Sequence, residues 1–213
     1  VRYASGGIHE VFDANSRRYP VLLPTVSDTR PEEFAHLRLH NGTLWRWTRP
    51  LIGFSANGKP HIRIEHRSIA AGPTHADEIA NAAFFFGLIT ALMQYDNIEQ
   101  RIPHIVSRHN FYAAAKTGMD ASVEWLDGKE TSLRTLVLQE LLPLARKGLS
   151  SLDVDHDEAD DCLHIIEQRL LTRQTGAKWQ REWVAKHGPD WRGLVLDYAE
   201  NQASGKPVHT WKI

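Results

Sequence analysis

The sequence predicts an α+β protein in which a short antiparallel sheet portion over residues 1–73 is followed by a mainly helical region over residues 74–213. Three observations predict it. Up to Pro73 the chain is rich in Pro and Gly and alternates apolar with polar residues, whereas from Thr74 onward apolar residues recur at helical spacing. The dipeptide Asn57-Gly58 is the strongest short hairpin signal, and it stands between Thr43-Leu44-Trp45-Arg46-Trp47-Thr48-Arg49 and His61-Ile62-Arg63-Ile64-Glu65-His66-Arg67-Ser68-Ile69.

The second of those segments carries the most information. With a period of two it places Arg63, Glu65 and Arg67 on one face and Ile62 and Ile64 on the other. A two-residue turn at Asn57-Gly58 sets Ala56 opposite Lys59, which brings Thr48 opposite Arg67 and Trp47 opposite Ser68. In that register Trp45 and Trp47 join Ile62 and Ile64 on an apolar side, and Arg46 and Thr48 join the charged side. A slip of one residue scrambles this sorting. Arg49 falls on the apolar face of the scheme, and only Pro50 or a bulge could re-aim it. The charged face has two readings. It is a self-neutralising ladder of exposed charges, or a place where anions meet a cation, arginines forking oxygens and the glutamate ligating a divalent metal.

In the helical region, Thr74 and Asp77 form a capping box after Pro73 and open a helix from Ala76 to about Tyr95. It is apolar almost all round, which predicts burial, and is interrupted too often by polar residues for a membrane span. A second helix is predicted from Ser107 to Thr117, stopping at Gly118. Asp127-Gly128 marks a turn. Three apolar stripes then describe a small bundle: Leu133, Leu136, Val137, Glu140, Leu141 and Leu144; Leu163, Ile166 and Leu170; and Trp179, Trp183 and Val184. Thr175 is placed as an N-cap and Gly188, with Pro189 beyond it, as a stop. Gln202 to Ile213 reads as an irregular tail closing over another part of the surface.

Composition excludes several classes. The 213 residues carry a formal net charge of -1, so no basic excess exists to displace phosphate counterions, and nucleic acid is not the expected partner. The single cysteine, Cys162, cannot form an internal disulfide and reads as an inert helical thiol, in keeping with a cytoplasmic protein with no signal peptide. The acidic run from Asp153 to Asp161 lacks the glycine and glutamate of a calcium loop and reads instead as the N-terminus of a helix. His104 and His109 lack the partners of a zinc site. Ser68 and His66 point opposite ways on a strand, against a nucleophile and base. An exposed sheet edge leaves homo-oligomerisation open.

The segments Leu44-Trp45-Arg46-Trp47-Thr48-Arg49-Pro50 and Ile62-Arg63-Ile64-Glu65-His66-Arg67-Ser68-Ile69 resemble the late sheet strands of the glutamate–cysteine ligase type 2 and carboxylate-amine ligase family, whose members carry an Ile-Glu-x-Arg-Ser type of strand. The resemblance continues through Ala71-Gly72-Pro73-Thr74, through Asn110 to Met119 as an Asn-x-x-x-Ala-x-Lys-x-Gly-Met helix end, and through Glu140 to Ala145 and Gln174 to Gln180.

That resemblance implies a glutamine synthetase-like catalytic fold, an antiparallel sheet cupping a site with helices outside it. It implies an enzyme that uses ATP and Mg to activate a carboxylate, glutamate first, as an acyl phosphate that an amine displaces. Carried over by position, Glu65 matches a strand glutamate that binds magnesium and Arg67 the arginine that holds the moving phosphate. Arg46, Arg49 and Arg63 are weaker candidates for substrate carboxylate or nucleotide phosphate. The chain departs from the family in one respect, since no run of acidic strand residues precedes Trp45, and it is therefore read as the C-terminal portion of a longer ligase. Three functions follow as expectations: the ATP-dependent ligase, a ligase-derived binding or assembly module that does not catalyse alone, and an unrelated phosphoryl-transfer enzyme of the guanidino kinase kind.

Overall fold

The structure, a computed structural model, describes residues 3–26, 28–69 and 71–213, with the side chain of Asp127 outside the description. It is α+β, with helices and two small antiparallel sheets, and it divides into two compact units, residues 1–70 and 71–213. No helix among the described residues is long and apolar enough to cross a membrane.

The first unit holds α1 (His9–Arg18), a 3-10 turn at Pro31–Glu33, α2 (Ala35–Gly42), β1 (Thr48–Phe54) and β2 (Pro60–His66). Its links are polar. Asn15 on α1 donates to Asn41 on α2 (3.0 Å), and Asn41 donates to the carbonyl of Pro50 on β1 (2.7 Å), both asparagines being buried. None of the buried hydrophobic residues of the described chain lies in this unit.

The hairpin forms where Asn57-Gly58 predicts it, but one residue out of the expected register. Thr48 pairs with His66 and Arg49 with Glu65, not Thr48 with Arg67. The connection is a three-residue loop. Gly58 donates to the carbonyl of Ser55 (2.8 Å), Ser55 donates to the carbonyl of Lys59 (2.9 Å), and Gly58 takes a positive φ of 77°. This is a type I turn closed by a left-handed glycine, the second commonest hairpin connection. Proline explains the choice. In a two-residue loop Pro50 would fall at a hydrogen-bonded rung opposite Glu65 and leave it without a donor. In the observed register the bonded rungs are those of Ser55 with Lys59 and Trp47 with Arg67, so Pro50 and Pro60 both fall at non-bonded rungs. The slip turns β1 over. Arg49 now shares a face with Arg63, Glu65 and Arg67, which removes the difficulty of its placement, while Thr48, Pro50 and Ile52 share a face with Ile62 and Ile64. Trp45 and Trp47 precede β1 and are 80% and 64% exposed, so the expected apolar sandwich of tryptophans on isoleucines does not form.

The second unit begins with α3 (His75–Leu92), opened by the predicted capping box with both of its bonds present. A short α4 (Ile98–Arg101) and α5 (His104–Thr117) follow, the latter starting one turn before the predicted Ser107 because Pro103 presets its entry and stopping at Gly118 as predicted. Asp127-Gly128 proves to be the tip of a hairpin, β3 (Ser122–Trp125) with β4 (Lys129–Ser132). A continuous segment joins α6 (Leu133–Leu136) through a π turn at Val137–Leu141 to α7 (Leu142–Ser150). Pro143 cannot donate to the carbonyl one turn back, which accounts for the wide turn before it. The buried stripe then continues through Ala145, Gly148 and Leu149 and not through Leu144. After α8 (His156–Thr172), α9 (Gly176–His187) and α10 (Trp191–Ala203), a 3-10 turn at Val208–Thr210 ends the fold. The α8 stripe of Leu163, Ile166 and Leu170 is buried as predicted.

The expectation of complete burial for α3 is not met. It buries the narrow stripe of Asp77, Ala80, Gly87 and Ala91, and leaves Ile79, Phe86 and Met93 exposed. Close approach to α7 chooses the face. A Cβ on Gly148 would stand 1.8 Å from the carbonyl oxygen of Gly87, so only glycine fits the crossing. The tail closes over the second unit as expected, although α10 runs on to Ala203 and a 3-10 turn at Val208–Thr210 makes it less irregular than its sequence reads. Val208 and Trp211 are buried with Trp179 and Trp183, and Gln174 donates to the carbonyls of both Val208 and Trp211 at 2.7 Å.

Candidate functional site

The slipped register gathers Arg49, Arg63, Glu65 and Arg67 on one face of the hairpin and gives each a different environment, whereas Arg46, expected on that face, precedes β1 and is not brought to it by the pairing. Arg49 is the least exposed, 13% by side chain. Its Nε donates to Oε2 of Glu65 at 2.5 Å, and its Nη1 donates to the carbonyls of Gly42 (2.9 Å) and Leu44 (3.4 Å) just at and beyond the end of α2. A cation at a helix C-terminus is favoured by the unpaired carbonyls there. Arg49 is thus consumed in tying β1 to α2 and to β2, and a free role toward substrate does not fit it.

Glu65 is half-buried, and Oε2 takes both of its arginine contacts, the second at 3.8 Å from Nε of Arg67. Such a carboxylate is already neutralised, and a magnesium ion brought to it would face two guanidiniums; the residues as placed do not fit the metal. Among the described residues, no three His, Cys, Asp or Glu side chains stand together as a group able to hold one.

Arg67 is half-buried and lies with Cζ 5.0 Å from the centre of the Trp45 ring, a cation–π contact that orients the guanidinium plane. Arg46 is held in the same manner over Tyr19 at 5.3 Å, with Nη2 donating to the tyrosine hydroxyl at 3.3 Å. Arg63 is exposed and has no acidic partner among the described residues. Three arginines therefore share the face with one glutamate that Arg49 already satisfies, and the surplus charge there belongs to Arg63 and Arg67. Exposed indoles at Trp45 and Trp47 border it. Chemically, the face can grip phosphate or carboxylate oxygens and offer a ring for a planar group. Burial lowers the pKa of His66 at the end of β2, which keeps its ring neutral and leaves the charge to the arginines.

The second unit has a polar centre that sequence reading missed. The fully buried carboxylate of Asp77 accepts from Arg169 (2.6 Å), from the Thr74 hydroxyl (2.9 Å) and from the Val208 amide (3.1 Å), and Asn81 accepts from Arg169 at 2.6 Å. Asp77 was legible only as a helix cap. Its partner stands far along the chain on α8, and no local pattern announces the pair. With its hydrogen bonds made and the carboxylate closed to solvent, the pair is a fastening between α3, α8 and the tail rather than a site. The acidic run before α8 behaves as expected, since Asp155 caps the helix by accepting from Asp157 and Glu158. Burial, with Asp161 and Glu158 nearby, raises the Cys162 thiol pKa, as befits an inert thiol.

Compared with protein-family models, with curated proteins and with solved structures, the chain gives no significant match.

Proposed function

We propose that the hairpin face of Arg63 and Arg67 binds the anionic group of an ATP-dependent carboxylate-amine ligase reaction, and that this chain acts as a ligase-derived binding module for that anion. The observation that supports the reading is the division of labour at Glu65. Arg49 neutralises the carboxylate, so the charge of Arg63 and Arg67 is left for an outside anion. Arg67, oriented by Trp45, would grip a phosphate oxygen pair, and Arg63 would add a second, more exposed contact. ATP fits this face through its phosphates and through the exposed indoles; magnesium does not fit Glu65, and no step is routed through it.

The Ile64-Glu65-His66-Arg67-Ser68 strand supports the stronger alternative, that the chain is itself part of a catalytic site forming an amide through an acyl phosphate. Calorimetric titration with ATP, inorganic phosphate and glutamate, each at low and high salt, tests the shared premise. Binding of at least one of these anions, weakened by salt and lost by roughly tenfold or more in Arg67→Ala, is expected. ATP-dependent amide formation from glutamate and a panel of amines would select the enzyme. Absence of binding to any of these anions would sink both readings.

A further inference from the structure

We infer that the outer edge of β2 recognises a second copy of this chain, whose own β2 adds to it antiparallel about a two-fold axis at Ile64. The inference does not rest on the anion-binding reading, but the two share Arg63: where two copies pair, Arg63 is taken up by Glu65 of the second copy and the anion is left to Arg67. The first unit's sheet has only two strands, so β2 leaves one edge unpaired among the described residues. Because the bonded rungs with β1 are those of Arg63 and Glu65, the amide and carbonyl groups of Ile62 and Ile64 point the other way, outward. The side chains of Ile62 and Ile64 are 50% and 56% exposed. An unpaired strand edge without a proline at its centre, with exposed isoleucines along one face, is a template for strand addition.

Charge selects both the partner and the register. Antiparallel self-pairing that uses the outward groups must place even-numbered residues opposite even-numbered ones. If Ile62 met Ile64 of the second copy, Arg63 would face Arg63; if Ile64 met His66, Glu65 would face Glu65. Like charges directly opposite are destabilising. With Ile64 opposite Ile64, each Arg63 faces the Glu65 of the other copy, and the pairing is made twice by symmetry. Arg63, which has no acidic partner within the described chain, then gains one, and Glu65 receives it alongside the Arg49 contact on Oε2. On the opposite face the isoleucines of both copies run together beside Pro50 and Ile52, extending an apolar surface across the axis.

The whole chain, compared by sedimentation over a wide concentration range, should form a reversible dimer. Ile64→Pro is the decisive variant, because the position opposite Pro50 is a non-bonded rung where proline spares the hairpin but removes the outward donor. It should give a monomer with an unchanged circular dichroism spectrum. Arg63→Glu, a surface change that leaves the fold intact, should weaken the dimer by about tenfold or more, since two attractive contacts become repulsive. With Cys162 replaced by serine, Ile64→Cys should cross-link on mild oxidation to itself, the two α-carbons of a bonded rung standing within disulfide range, whereas Ile52→Cys on β1 should not. A chain that stays monomeric at every concentration would overturn the inference, as would a dimer indifferent to both Ile64→Pro and Arg63→Glu.

Discussion

Arg49 and Glu65 face each other across the first hairpin, Nε to Oε2 at 2.5 Å, and the same guanidinium reaches the carbonyls of Gly42 and Leu44 at and beyond the end of α2. One side chain thus holds together three elements that share no buried hydrophobic core. Arg49→Ala should destabilise the first unit by about 2 kcal/mol, the loss of a partly buried pair discounted for the exposure of Glu65. Arg49→Lys should recover less than half of this, because an ammonium cannot serve both strand and helix. Arg63→Ala, in contrast, should change stability by less than about 0.5 kcal/mol. Urea unfolding followed by tryptophan fluorescence distinguishes the three.

The two kinds of tryptophan in the chain should behave oppositely. Trp179, 1% exposed, packs edge-on against Tyr198 and Trp211 and donates its indole proton to the carbonyl of Lys212. Trp179→Ala should cost about 3 to 5 kcal/mol. Trp47→Ala, at a ring mostly in water, should cost well under about 1 kcal/mol. A large loss at Trp47 would mean that its ring is covered in solution.

The crossing of α3 on α7 permits no side chain at Gly148. Gly148→Ala drives a methyl into the carbonyl of Gly87 and should lower stability by roughly 3 kcal/mol or more, since backbone cannot step aside as a flexible side chain can. Gly42→Ala is the control. Nothing lies within 4 Å of a Cβ there, and the change should range from neutral to a gain of about 1 kcal/mol. Thermal unfolding of the two variants reads the difference.

Burial lowers the pKa of His209, beside the Asp77 and Arg169 fastening, below its ordinary value of 6.5. Asp77 opposes that shift, while His164 and Arg169 add to it. The folded chain therefore holds this ring neutral where the unfolded chain would protonate it. Stability from this group is complete above the unfolded value and declines as pH falls through 6.5 toward the folded one. His209→Gln should flatten the stability profile in that window relative to the parent, and an unaltered profile would show that the tail does not sense the proton.

Much of the second unit was written locally. The capping box at Thr74 and Asp77, the stops at Gly118 and Gly188, the cap at Thr175 and the α8 stripe depend on residues within one or two turns of each other, and each stands where those residues require. The arginine and glutamate face of β2 was legible for the same reason, because alternation along one strand needs no partner. What faced it was not. Asn57-Gly58 announces a turn without stating its length, and one residue of loop reverses the parity of the whole of β1; Pro50, needing a non-bonded rung, decided it only when both strands were present. The same distance in sequence hid Asp77 from Arg169 and Gly148 from Gly87. Local chemistry determined where elements begin, end and turn, while tertiary packing alone decided which face met which, since register and close approach are properties of pairs that no single segment contains.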